Sequence, residues 1–208
     1  MSTSPKIKLT YFDIRGRAEV ARLVLAAAKI PYEDIRIGFD QWPALKSSTP
    51  LGSVPVLEVD GQKFTQSVAI AAYLAKENGL YGSSALEQLA IDQVALARED
   101  LTQAVGKFMS EKDEKKKAEL EKTLKEEQEP KFLGFFNKLI KENPTKSGFV
   151  VGSKITLADL VVFETTQMLS EKEPQTLDKY PEIKALRTKV TGSDGIKQYL
   201  ATRKPTPF

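Results

Sequence analysis

Tyr11 ends a short stretch, residues 6–12, in which Ile7, Leu9 and Tyr11 alternate with Lys8 and Thr10 as one face of a strand. From the strand alone, a half-buried packing tyrosine is the commoner reading. At the end of a strand, though, a hydroxyl can also point into the crevice at the carboxyl edge of a sheet. The 208 residues include no cysteine and no histidine. That excludes thiol nucleophiles, disulfides, Cys/His zinc or haem-iron ligation, Ser-His-Asp triads and imidazole proton transfer. Carboxylates, Tyr, Lys, hydroxyls and backbone groups are what remain for chemistry. Thiol chemistry here needs a substrate that brings the thiol.

The elements around Tyr11 alternate strand and helix. Residues 17–29 carry Val20, Leu23, Val24 and Ala27 at helical spacing, Pro31 breaks the pattern, and residues 32–37 read as a second strand. A β-α-β start predicts a parallel pair. A loop with Trp42, Pro43 and Thr49-Pro50 follows, then a strand over 54–59 with Pro55 near its beginning. Asp60-Gly61 is a two-residue hairpin turn with residues 62–64 returning antiparallel. An Ala-rich helix runs from Gln66-Ser67 to about Asn78, with Ser67 as its expected N-cap.

Residues 79–84 (GLYGSS) are the linker candidate, and from Ala85 the pattern is helical throughout. Leu86, Leu89, Ala90, Val94, Leu96, Ala97 and Leu101 mark a long helix with one wide apolar face. Thr156 to Asp159 form a capping box with Ile155 and Leu160 as its hydrophobic staple, opening a buried helix to about Leu169. Two more helices are expected near 180–190 and 195–202. The fold class is an α/β domain over 1–80 followed by an all-α domain over 81–208.

Charge argues against a polyanion partner. The 31 basic and 28 acidic residues give a net +3, and residues 1–80 hold ten of the basic and eight of the acidic ones. Residues 111–131 hold 15 charged side chains of mixed sign, the pattern of a solvated helix face with i,i+4 ion pairs. No run approaches the roughly 20 apolar residues of a membrane span. The first residues lack the apolar stretch of a signal peptide. The expectation is a cytoplasmic protein without nucleic-acid or membrane partners.

Six segments together resemble the cytosolic glutathione transferases: 9–19 (LTYFDIRGRAE), 42–46 (WPALK), 52–61 (GSVPVLEVDG), 66–74 (QSVAIAAYL), 155–160 (ITLADL) and 203–208 (RKPTPF). The likeness is to the sigma class, with its nematode relatives and the haematopoietic-type prostaglandin D synthases. It implies a thioredoxin-like N-terminal domain, 1–80, that binds glutathione. It also implies an all-helical domain, 81–208, that forms the electrophile pocket and part of a homodimer interface. Glutathione would be the co-substrate, small apolar electrophiles its partners, and no metal would be needed. Prostaglandin D isomerisation and non-catalytic carriage, as in lens crystallins of similar fold, are the alternatives. A thioredoxin-like domain without cysteine cannot run dithiol exchange. It can still activate the tripeptide's own thiol.

The resemblance assigns that step to Tyr11. A thiol of ordinary pKa near 8.5 is only about 3% ionised at pH 7, and lowering the pKa by about two units corresponds to about 2.7 kcal/mol. A phenol suits the role because it stays protonated as a donor until about pH 10. Arg17 is placed to favour charge near the sulfur, or serves as a surface ion-pair partner. Val54, before a cis Pro55, would pair its backbone with the cysteinyl unit. Gln66 and Ser67 would hold the γ-glutamyl carboxylate at a helix N-terminus, and Trp42 and Lys46 the glycyl carboxylate. Ser53 stands where many sigma-class relatives have Lys or Gln, so a contact to the tripeptide is in doubt there. Asp100 would reach the γ-glutamyl ammonium across the dimer. Phe12, Ile14, Thr102, Val161, Thr165 and Phe208 would line the second-substrate pocket. Thr102 and Val161 are small, which favours a roomy pocket for apolar electrophiles.

Overall fold

The computed structural model describes residues 5–206. Alternation in β1 (Ile7–Phe12) buries Ile7, Leu9 and Tyr11 and leaves the residues between them half-buried. A 3-10 turn, Gly16–Ala18, leads into α1 (Glu19–Ala27), whose apolar stripe buries Val20, Leu23 and Val24. β2 (Glu33–Ile37) then pairs parallel with β1, as the β-α-β pattern predicts. α2 (Trp42–Leu45) and a 3-10 turn, Lys46–Ser48, replace the expected loop. Pro43 starts that helix rather than breaking it, because a first-turn residue needs no N–H donor.

β3 (Val56–Val59) and β4 (Gln62–Thr65) are antiparallel to one another, and β3 is antiparallel to β1. The hairpin between them has φ +49 at Asp60 and +88 at Gly61, the pair of positive angles that suits a two-residue turn. The sheet order is β2-β1-β3-β4. α3 (Ser67–Glu77) follows, and it corrects one expectation. Gln66 is the N-cap, at φ +76, and Ser67 is the first helical residue, so Ser67 does not cap the helix. α1 packs against α3.

The remaining helices are α4 (Ala85–Ser110), α5 (Glu114–Thr123), a π-helical segment at Leu124–Gln128, and α6 (Glu129–Glu142). They continue with α7 (Leu157–Thr165), α8 (Gln167–Lys172), a 3-10 stretch at Pro174–Lys179, α9 (Pro181–Thr191) and α10 (Asp194–Thr202). The helix expected to run to Leu169 breaks at Thr166. Its hydroxyl bonds back to the Val162 carbonyl at 2.8 Å, while the Arg187 guanidinium takes the Phe163 carbonyl at 2.9 Å. The wide apolar face of α4 also divides. Ile91, Val94, Ala95 and Leu101 are buried, whereas Leu86, Leu89 and Leu96 are 77%, 63% and 56% exposed.

Packing divides the chain into two compact units. Residues up to Asn78 and the segment from Thr191 onward form one, and Gly79–Val190 form the other. This differs from an 81–208 domain because α10 packs on α1. Among the described residues no helix is long and apolar enough to cross a membrane.

The Thr156–Asp159 capping box starts α7 as expected. Asp159 is fully buried and accepts from the N–H of Val150 at 2.7 Å, the N–H of Thr156 at 2.7 Å and the Thr156 hydroxyl at 3.0 Å. Burial outweighs those bonds and pushes the carboxyl from 3.8 up to about 6. With the folded value above the unfolded one, its contribution is complete below about pH 4 and is lost as pH rises through about 6. Asp159→Ala orphans all three donors and is expected to lose about 3 kcal/mol in urea unfolding at pH 4. The loss should be smaller at pH 7; an equal loss at both pH values would contradict the burial effect.

Candidate active site

Sheet register assembles the site. Thr10 pairs with Val56 and Val56 with Thr65, and these are the last ladder pairs at one end of the sheet. The next residue along each strand is Tyr11, Pro55 and Gln66. At the same end β1 pairs Phe12 with Ile37 of β2, two residues before Phe39. The Phe12 ring stacks on Phe39 at 4.5 Å between centroids and meets Trp42 edge-on at 5.7 Å. Tyr11, Phe12, Phe39, Trp42, Val54, Pro55, Gln66 and Ser67 thus share one edge.

A turn after β1 fixes the tyrosine hydroxyl. Tyr11 is 6% exposed, and its Oη accepts the backbone N–H of Arg17 at 3.1 Å. Gly16, at φ +43, lets the turn close over the ring: a Cβ there would stand 2.7 Å from Oη. With Oη already accepting, the phenolic proton is left for another acceptor, and accepting one bond strengthens the donation of the other. The Arg22 guanidinium carbon lies 6.0 Å from the Tyr11 ring centroid. Arg17 therefore meets Tyr11 through its backbone; Ile14, in the same turn, is half-buried.

The other predicted glutathione residues frame this edge. The Val54–Pro55 peptide is cis, and Val54 precedes the first ladder residue of β3. Gln66 is exposed and holds φ +76, ψ +107, a region that costs a non-glycine residue about 1–3 kcal/mol. Ser67 begins α3, where the first N–H groups have no partner within the helix. Trp42 is half-buried on α2, and Lys46, one turn on, is exposed beside an open depression of about 410 Å³ that Pro43, Ser47, Thr49 and Gly52 also line. Ser53 is half-buried next to Gly52.

Charges flank the turn. Lys204 beside Asp13 holds its carboxyl below the usual carboxylate range, and Arg36 adds to this. Arg36 is itself raised: burial opposes its charge, but its bonds to Asp34 and Asp13 outweigh that. Among the described residues, no group of three or more His, Cys, Asp or Glu side chains could hold a metal.

The remaining candidates belong to the helical unit. Asp100 is exposed on α4. Thr102 and Thr165 are half-buried and bond their own helices, Thr102 to the Arg98 carbonyl at 2.9 Å and Thr165 to the Val161 carbonyl at 2.7 Å. Val161 is 2% exposed. Phe208 lies outside the described residues. Sequence reasoning missed Gly16, Arg22 and Phe39. Gly16 and Arg22 lie in or just after the RGRAE run, and Phe39 is the aromatic between β2 and Trp42.

Two family models match: "Glutathione S-transferase, N-terminal domain" over residues 7–76 and "Glutathione S-transferase, C-terminal domain" over 99–203. "Probable glutathione S-transferase 7" of Caenorhabditis elegans is 39% identical over 204 residues, which is 97% of this chain and 98% of that protein. The chain belongs to the glutathione S-transferase family. Solved structures agree with this. Prostaglandin synthase D of Nilaparvata lugens gives a TM-score of 0.88 at 39% identity, covering 97% of this transferase and all of that chain. Monomeric Na-GST-3 of the hookworm Necator americanus gives 0.88 at 37%, covering 98% of this chain and all of its own.

Gly16 offers a direct check on the geometry of this transferase. Gly16→Ala should lower its glutathione-conjugating turnover at least about tenfold, an activation cost of about 1.4 kcal/mol or more. Its positive φ should cost only about 1–2 kcal/mol in stability. Turnover and thermal unfolding measured side by side test this, and unchanged turnover would show that the closing of the turn over Tyr11 does not bear on the reaction.

Proposed function

We propose that the protein is a sigma-class, cytoplasmic glutathione transferase of the detoxifying kind that adds the glutathione thiolate to small apolar electrophiles. Tyr11 is its catalytic residue, donating a hydrogen bond to the sulfur. The observation that carries this reading is the bond from the Arg17 N–H to Tyr11 Oη, which occupies an acceptor lone pair and leaves the proton to donate. Arg17 adds positive charge nearby. Val54 beside cis Pro55 would pair with the cysteinyl unit as an added strand. Gln66 and Ser67 would take the γ-glutamyl carboxylate at the α3 N-terminus, and Trp42 and Lys46 the glycyl carboxylate. Ser53 adds at most a short hydroxyl contact.

For the electrophile we propose Phe12, Ile14, Thr102 and Thr165; Val161, expected with them, is buried in α7 at 2% exposure and offers no surface to it. The protein supplies orientation and thiolate stabilisation, and no metal enters the scheme. Isomerisation of a prostaglandin is the second reading, favoured by likeness to the Nilaparvata lugens structure so named. It would draw on the same thiolate.

Tyr11→Phe should reduce turnover with a chloronitrobenzene substrate by about tenfold to a hundredfold, equivalent to about 1.4–2.7 kcal/mol. The KM for glutathione should stay within about twofold, because the lost bond acts mainly on the ionised sulfur. The pH–rate profile should move to higher pH; an unshifted profile sinks the assignment of Tyr11.

We also propose a homodimer in which Asp100 meets the γ-glutamyl ammonium bound by the second copy. Support comes from α4, where exposed Leu86, Leu89, Leu96 and Asp100 recur at spacings of three, seven and four, a single helix face. The Leu89→Lys, Leu96→Lys double variant should halve the sedimenting mass and weaken glutathione binding. A wild-type chain that sediments as a monomer at micromolar concentration would overturn this, and would liken it to Na-GST-3.

A further inference from the structure

Arg22 is a charged residue with zero exposure, and its bonding is uneven. Its Nε donates to Asp34 at 3.2 Å. Its Nη1 donates to the Ile14 carbonyl at 2.8 Å, to Glu19 at 3.3 Å and to the Arg15 carbonyl at 3.4 Å. Nη2 is buried without a partner among the described residues. A buried ion pair with an orphaned donor is a poor way to gain stability, since apolar side chains of the same volume commonly do as well or better. What Arg22 does achieve is a hold on two carbonyls of the turn that carries Arg17.

The C-terminal segment grips the same turn. Glu19 is 1% exposed, and its carboxylate accepts from the Tyr199 hydroxyl at 3.1 Å and from Arg203 at 2.8 Å. Burial and the neighbouring Glu19 charge raise the Tyr199 phenol, so it remains a donor. Lys204, next along the chain, is bonded to Asp13 at the start of the turn. The mechanical consequence follows from competition at Nη1. While Tyr199 and Arg203 occupy Glu19, the Arg22–Glu19 bond stays long and Nη1 stays on Ile14. Without them, an under-solvated Glu19 draws the guanidinium to itself and off the turn.

We propose that Tyr199 of the C-terminal helix and Arg203, the residue just after it, are positioning residues for Tyr11, acting through Glu19 and Arg22 to hold the 13–17 turn where the Arg17 N–H reaches Tyr11 Oη. This rests on the reading of Tyr11 as the thiolate's donor. It gives α10 a role in the chemistry of a unit whose sequence lies mostly more than a hundred residues earlier.

The test uses the full-length Tyr199→Phe, Arg203→Gln double variant, with Tyr11→Phe and Asp194→Asn beside it. Asp194 also reaches from α10 to the turn that follows α1, through an exposed ion pair with Lys29 at 3.7 Å, but it lies outside the chain of contacts. Three quantities are read: the pH at which bound glutathione ionises, followed by ultraviolet thiolate absorbance, then kcat, and KM for glutathione. The double variant should raise the ionisation midpoint by about one pH unit and lower kcat about tenfold, with KM within about twofold. Asp194→Asn should match wild type in all three.

A folded double variant with wild-type ionisation overturns the proposal, whether or not its melting temperature or turnover falls. So does an Asp194→Asn variant that shifts ionisation equally, because loosening α10 would then suffice. If the double variant does not fold, Arg203→Gln alone is judged by the same readout. Should Tyr11→Phe itself leave ionisation unmoved, the donor reading fails first. If Tyr11→Phe shifts it and the double variant does not, only the positioning chain fails.

Discussion

Register across three strands is the constraint on which the candidate site depends. Leu9 lies opposite Leu57, and Leu57 opposite Phe64, so one alternation fixes β1, β3 and β4 together. A one-residue slip of β1 would turn Leu9 and Tyr11 out of the core and bring Lys8 and Thr10 in, a heavy penalty in a sheet with a buried face. The same register that buries Leu9 brings Tyr11, the cis Val54–Pro55 peptide and the start of α3 to one edge. The burial that stabilises the sheet thus also sets the spacing of the site.

Much of this was legible in the sequence because it rests on local patterns. Alternation over 6–12, the helical stripe after Arg17 and the Asp60-Gly61 turn each carry their own signal, and the structure contains all three. The capping box at Thr156 did as well. What failed to show were features decided by backbone angles or distant packing. Ser67 has the chemistry of a cap, yet the positive φ of Gln66 shifts the helix start by one residue. Trp42 and Pro43 read as loop, yet a short helix begins with them. The leucines of α4 look like one face, but only some of them meet the core. Nothing near Tyr199 or Arg203 signals a bond to Glu19, some 180 residues away.

The composition and the geometry converge on an economical kind of chemistry. With no cysteine and no histidine, the protein contributes neither a thiol nucleophile nor an imidazole base. It offers a tyrosine hydroxyl held in place by a backbone amide, at the sheet edge that Tyr11 shares with Val54, the cis Pro55 and Gln66. Any thiol in its chemistry must arrive with the substrate. An enzyme built this way also presents no thiol of its own to electrophiles.

The chain has a single tryptophan, Trp42, and it is half-buried against the Phe12–Phe39 stack, one helical turn from Lys46. Indole fluorescence from the folded protein therefore comes from one spot beside the candidate site. A change in polarity at the aromatic stack or a charge arriving at Lys46 alters the surroundings of that lone fluorophore. Rearrangements confined to the helical unit have no indole of their own to report them. Occupancy of this corner of the protein can be followed by emission alone, without a label.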